Sequence, residues 1–280
     1  MHCNLKSLET VAGKGVLAFR KVRGRTALIR ARATSPLTLL NPRSYGRCAW
    51  AVCGTHGGGL VGGDNIQLDV VVESNASAMI GTQASTKVYR CDGGLRCRQS
   101  LDARVEENAL LVLVPDPVTC FADASYAQEQ RIELHESASL LMIDWFTSGR
   151  YWRGERWAMT DYNSRSEVLI DGRLVFRDAL RLDAADGLLA SPARMGRFNC
   201  FATVLMIGAE FASFASELLR LVAGQPLVAN AKLVFAGGPA AGGALLRVAG
   251  ESTETVGNWL RDRLAFLSDI TGQDPWARKR

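Results

Sequence analysis

The chain has 280 residues, of which 48% are hydrophobic and 22% charged, and a formal net charge of +5. That size permits one large or two ordinary domains with a core that needs no covalent staples. It holds no apolar run long enough to span a bilayer, and its first ten residues lack an apolar h-region, so neither a membrane partner nor a secretory signal is expected. The seven cysteines are scattered, odd in number and never spaced C-x-x-C, which suits reduced thiols in a cytoplasmic protein.

Ten Lys or Arg fall within the first 47 residues against one acid, Glu9. Such a basic segment meets an acidic partner or lines the solvent face of strands. No aromatics interleave with the charges, so nucleic acid is not expected as a partner. Short strands are predicted at 15–21, 26–33 and 36–40, with a charged hairpin turn at Gly24, and 47–52 leads into a glycine run. Gly57, Gly59 and Gly62 then spell G-x-G-x-x-G. A dinucleotide site would need a helix after the third glycine. Instead Ile66, Leu68, Val70 and Val72 alternate with Asn65, Gln67, Asp69 and Val71, which is a strand.

A turn at 91–94 separates this region from an alternating strand at 95–104. The run 110–114 is continuously apolar, as in a strand buried on both faces. A weak repeat joins Val72-Glu73-Ser74-Asn75-Ala76, Val105-Glu106-Glu107-Asn108-Ala109 and Leu134-His135-Glu136-Ser137-Ala138, with the alanines 33 and 29 residues apart. Regular strand-turn-strand units predict a mainly β fold, stacked like a β-solenoid or an elongated sandwich. Helices are predicted only after about Gly208. One covers 210–222. The other covers 253–270, capped by Ser252 and carrying the apolar stripe Val256, Trp259, Leu260, Leu264, Leu267 and Ile270. Residues 277–280 read as a basic frayed end. No linker divides the chain, so 1–280 is expected to be a single domain.

The order of motifs resembles one family. The run GGGLVGGD, then alternating strands, then TQ-x-x-TK-x-Y ending at Tyr89, is similar to the signature of the urease accessory protein UreD, also called UreH. The resemblance continues through Gly149-Arg150 and Gly154-Glu155, the 171–182 hairpin pattern, Gly208, and Arg247 to Gly250. It implies a non-enzymatic scaffold that binds urease apoenzyme and UreF, and through UreF the GTPase UreG. It further implies delivery of Ni2+ to the urease dinickel site, with nickel in transit through an internal tunnel and no tightly bound cofactor or metal. The residues that fall on the family motifs are His56, Gly59, Thr86, Lys87, Tyr89, Arg150 and Glu155.

The residues alone supply no catalytic constellation. His2, His56 and His135 are the three histidines, and there is no G-x-S-x-G elbow, Walker A motif or closed zinc spacing. His56, alone before the glycines, reads as a turn residue, with metal binding as its other use. His135 reads as a solvent residue of the repeated turn. Asp144 stands out because it interrupts the apolar strand Leu140-Leu141-Met142-Ile143-Asp144-Trp145-Phe146. A carboxylate there is costly unless paired or wet. Either it pairs with Arg150 or Arg153, or it lines a polar interior with Asp64 and Asp178 that guides a cation. Oxygen ligands hold a borderline divalent metal weakly, which suits passage over storage. Thr86 and Lys87 are expected to face the same interior, though strand alternation puts Lys87 and Tyr89 on one face. A rival reading from another class makes Asp64, Asp144 and Asp178 the acids of a β-solenoid carbohydrate-active enzyme, which would need exposed stacking aromatics.

Overall fold

A computed structural model describes residues 12–226 and 228–277. His2 and Cys3, and Arg278 to Arg280 of the basic end, lie outside the described residues. In chain order the strands are β1 (Ala12–Val22), β2 (Arg25–Ala33), β3 (Leu37–Leu40), β4 (Ala49–Thr55), β5 (Asn65–Val72), β6 (Ser77–Thr82), β7 (Thr86–Val88) and β8 (Cys97–Val105). They continue with β9 (Leu110–Val114), β10 (Val118–Cys120), β11 (Ser125–Leu134), β12 (Ser139–Thr147), β13 (Asp161–Ile170), β14 (Arg173–Asp183), β15 (Cys200–Ile207), β16 (Leu233–Ala240) and β17 (Gly243–Gly250). Three α-helices follow Gly208: α1 (Ala212–Ala223), α2 (Thr253–Arg263) and α3 (Leu267–Thr271). Among the described residues before Gly208 the helical geometry is limited to single 3-10 turns, such as His56–Gly58 and Tyr151–Arg153. No helix among the described residues is long and apolar enough to cross a membrane.

The strands form two facing sheets. One runs β14-β13-β11-β8-β5-β1-β2, the other β16-β17-β15-β12-β9-β6-β4-β3. Within each, the middle strands are parallel: β1, β5, β8, β11 and β13 in the first, β4, β6, β9 and β12 in the second. The chain climbs by alternating between sheets, β5 to β6, β8 to β9, β11 to β12, for about four solenoid-like turns. Antiparallel hairpins close the stack, with β2 on β1 and β14 on β13.

The repeated turns are what set this climb. The amides of Ala76, Ala109 and Ala138 each close a tight turn onto Glu73, Glu106 and His135. The turns also bond to one another: Glu106 N–H reaches Val72 O and His135 N–H reaches Val105 O, each at 2.9 Å. Asn75 and Asn108 take positive φ of 63° and 54°, which their short side chains tolerate. The three alanines are buried where each strand turns the corner, and a longer side chain there would enter the core. Periodicity of two then divides the side chains between two cores. On β9, Leu111 and Leu113 face the space between the sheets, while Leu110, Val112 and Val114 face a second core under the helices. That is why the run reads as continuously apolar.

The helical stripe Val256, Trp259, Leu260, Leu264, Leu267 and Ile270 is buried in that second core. Ser252 Oγ accepts from Thr255 N–H at 3.1 Å, capping α2. The predicted single helix over 253–270 is broken, however. Leu264 leaves helical geometry at φ −107°, ψ 18°, and α3 restarts at Leu267. After the bend, Thr271 O accepts from Cys48 N–H at 3.2 Å, tying the C-terminal helix to the start of β4. The other helix begins two residues later than expected, because 209–211 form a 3-10 turn in which Glu210 pairs with Arg47 at 2.6 Å.

Candidate functional site

The motif residues of four successive rungs gather in loops at one end of the stack. The glycine run bonds to β7, two strands further along the chain than β5: Leu60 N–H donates to Lys87 O and Tyr89 N–H to Leu60 O, both at 2.8 Å. Gly59 makes this approach possible. A Cβ at Gly59 would lie 2.6 Å from Tyr89 Cε2 and 2.8 Å from Lys87 O. Asp64 closes the turn by accepting from Val61 N–H at 2.9 Å. The Tyr89 ring meets Phe121 edge-on at 5.2 Å, and the Arg150 guanidinium lies 4.2 Å over the other ring of that pair, Phe121. Arg150 forms a two-pronged ion pair with Glu155, whose carboxylate also accepts from Ala122 N–H at 3.2 Å. The Arg150 bonds hold the Glu155 carboxyl below its ordinary range. Gly149, at φ 107°, allows the chain to pass within contact of Cys120 O and Glu155 O. Tyr151 and Trp152 project from this turn, Trp152 with 95% of its surface exposed.

A second set of polar groups lies between the sheets. Leu140, Met142, Asp144 and Phe146 occupy the inter-sheet positions of β12, while Leu141, Ile143 and Trp145 face the helices. Asp144 therefore points inward. It borders a cavity of about 510 Å3 whose walls include Tyr162, Ser164, Asp178, Arg194 and Arg247. It also borders a smaller cavity of about 80 Å3, lined by Thr82, Thr86, Gln99, Asp116 and Gln128. Asp144 is thus part of the wall between two chambers.

Its partners are neutral. Gln128 Nε2 donates to Asp144 Oδ1 at 2.8 Å, and Ser164 Oγ donates to Oδ2 at 3.0 Å. Gln128 is held in turn by Tyr126, whose hydroxyl bonds to Gln99 Oε1 at 3.0 Å and Gln128 Oε1 at 3.2 Å. Burial pushes the Asp144 carboxyl above its ordinary range. The two hydrogen bonds oppose that, and the charge of Asp178 adds to it. The expected pairing of Asp144 with Arg150 or Arg153 does not form. Arg150 lies beyond the end of β12, in the loop, and is committed to Glu155. Asp178 carries the ion pair of the larger chamber, with Arg247 at 2.8 Å.

The structure brings Asp144 and Asp178 to one cavity. Asp64 is not among the residues lining either chamber and serves the glycine turn. Thr86 and Lys87 part company: Thr86 lines the smaller chamber and Lys87 is exposed, as neighbours on a strand must be. His56 is exposed in its 3-10 turn, and His135 bonds Ser137 Oγ at 2.8 Å within the repeated turn. No cluster of three or more His, Cys, Asp or Glu able to hold a metal occurs among the described residues. Three aromatics of the larger chamber are packed on each other, Phe146 stacking on Tyr162 at 4.7 Å and on Phe201 at 5.6 Å.

Sequence reasoning passed over Gln128, Ser164 and Phe121. A signal for Gln128 exists. Counting back in twos from the buried Leu134 and Ile132 puts residues 130, 128 and 126 on the inward face, and two of those are glutamines.

The family model described as UreD urease accessory protein matches residues 11–280. The chain is 48% identical to a urease accessory protein UreD of Sorangium cellulosum (strain So ce56), over 96% of this chain and 84% of that one. It is 47% identical to a urease accessory protein UreD of Anaeromyxobacter sp. (strain Fw109-5), over 95% and 89%. Identity to the urease accessory protein D of Oryza sativa subsp. indica is 35%, over 99% of both chains.

Proposed function

The chain belongs to the UreD urease accessory protein family, and we propose that it is a cytoplasmic scaffold, one domain over 1–280, that assembles with urease apoenzyme, UreF and, through UreF, UreG. In this reading it catalyses no reaction of its own and guides Ni2+, the cargo, along its interior toward the urease dinickel site. The observation that supports it is the position of Asp144 in the wall shared by two chambers. Both of its oxygens rest on neutral donors, so the carboxylate has no fixed counter-ion among the described residues and is able to meet a mobile cation. Asp178 stands on the far chamber with Arg247. Thr82, Thr86 and Asp116 line the near one. Carboxylate, hydroxyl and amide oxygens bind Ni2+ more weakly than imidazole or thiolate does, which favours release. Asp64, Gly59, Tyr89, Arg150 and Glu155 have a different part, shaping the loop end that would meet a partner. The saccharide-cleaving alternative loses its constellation, because Asp64 lies outside the chamber of Asp144 and Asp178.

The test is co-expression of the chain with UreF, UreG and apo-urease, comparing the wild type with an Asp144→Asn, Asp178→Asn double variant. The expected result is an assembled complex with reduced urease nickel content. Full nickel loading by an intact variant complex removes these acids from the route.

A further inference from the structure

Cys91 and Cys97 have their sulfurs 3.7 Å apart. Six cysteines are free among the described residues, and this is the one pair for which a sulfur–sulfur contact is formed. Cys97 opens β8 and is buried, and its thiol donates to Val61 O of the glycine turn at 3.0 Å. Cys91 is half-buried in the preceding loop, within 3.5 Å of the carbonyl oxygens of Tyr89 and Ser125. The Cys97 side is anchored, since its neighbour Arg96 pairs with Asp161 at 2.7 Å and donates to Ser125 Oγ at 3.1 Å. The Cys91 amide donates to Asp123 O at 3.1 Å, and the slack lies in the turn between the two cysteines. Gly93 and Gly94 both take left-handed φ, and a Cβ on either would meet nothing within 4 Å.

We infer that Cys91 and Cys97 form a dithiol modification site that low-molecular-weight disulfides, of the oxidised glutathione class, convert to an intrachain disulfide. A disulfide needs the sulfurs at about 2.0 Å, a closure that side-chain rotation and the slack glycine turn supply. In the first step the Cys91 sulfur attacks one sulfur of the oxidant. A mixed disulfide forms, and one thiol leaves carrying the Cys91 proton. In the second step the Cys97 sulfur attacks Cys91 Sγ, displacing the second thiol, which takes the Cys97 proton. Two protein thiols are oxidised and one disulfide is reduced to two thiols. Cys91 acts first because it is reachable. Burial holds the Cys97 thiol well above its ordinary range, so Cys97 attacks only a sulfur already beside it. Closure removes the thiol that donates to Val61 O. The modification therefore acts on the glycine turn, where Gly62 packs on the Cys91 backbone and Val61 is exposed.

The test uses the full chain, treated with oxidised glutathione, alkylated under denaturing conditions and digested with trypsin. Cleavage at Arg90, Arg96 and Arg98 separates the two cysteines, so the link appears as peptides 91–96 and 97–98 joined, lighter by two hydrogens than their sum. The expected result is joint loss of both thiols, while Cys97→Ser accumulates a stable glutathione adduct on Cys91. A wild-type chain that keeps an alkylatable Cys97 beside a glutathionylated Cys91, or leaves both thiols free, overturns the proposal. Should Cys97→Ser fail to fold, protection of the two wild-type thiols from alkylation by phenylarsine oxide, which needs two adjacent sulfurs, decides the same question. Independent alkylation of both in its presence counts against the site.

Discussion

Gly59 lies directly against the ring of Tyr89, so close that the Cβ of any other residue would stand 2.6 Å from Tyr89 Cε2. Gly59 itself has φ 172°, ordinary extended backbone. Space, and not dihedral freedom, demands the glycine. Gly59→Ala is expected to push Tyr89 from its edge-on contact with Phe121 and to cost about 1–3 kcal/mol, the range for overpacking a close contact. Chemical denaturation checks the loss. An unchanged midpoint would show that the Tyr89 ring moves aside freely.

Asp144 predicts a pH dependence with a definite sign. Its folded carboxyl titrates above its unfolded one, so the folded chain holds the extra proton between the two values. Stability from this group falls as pH rises from the ordinary carboxylate range through the raised folded value. Asp144→Asn keeps an acceptor for Gln128 and gains a donor for Ser164. It should gain on the wild type as pH rises through that window, measured by urea midpoints across pH. A difference that is flat with pH would contradict the burial of the charge.

Glu155 should behave oppositely. Arg150 lowers its folded carboxyl, so the pairing stabilises above the unfolded value and is lost as pH falls through the lowered folded one. Glu155→Gln is expected to be less stable than wild type at neutral pH and to converge with it in acid. High salt should narrow the neutral-pH gap, because the pair is reached by solvent. Hydrogen exchange of the Ala122 amide reports the local effect.

Ser252→Ala removes the acceptor for Thr255 N–H at the start of α2. The expected cost is ~1 kcal/mol, read as a lowered denaturation midpoint with unchanged slope. A changed slope would mean that α2 leaves the sheet as a unit before the rest unfolds.

Much of the fold is legible in the sequence because it rests on short-range rules. Ile66, Leu68, Val70 and Val72 alternate, the Val72, Val105 and Leu134 turns repeat, and Ser252 precedes an apolar stripe. Each is a local pattern with one structural reading. The break after Arg263 is not legible, because its compensating bond joins Thr271 to Cys48, more than two hundred positions away. The candidate site divides in the same way. Asp144 is conspicuous as a charge in an apolar strand. Its partners Gln128 and Ser164 look like ordinary strand polars until three rungs are stacked. Asp64 looks like Asp144 in a list of acids, yet it closes the glycine turn while Asp144 sits inside β12 between the sheets.

The bond from Cys48 to Thr271 also joins the start of β4 to the last helix, so the molecule is whole only once the end of the chain has been made. The strands of the rungs precede α2 and α3 in the sequence, so they leave the ribosome first. The outer face of the second sheet, with Trp50, Met79, Leu110, Val112 and Leu141, then waits uncovered for residues that come last. α1 and the residue before it cover part of that face through Phe211, Ala215 and Leu218, and the rest closes only when α2 and α3 have left the ribosome. A chain interrupted near Gly250 would carry its stack of rungs with an apolar wall covered only in part by α1, a species prone to stick to its own copies.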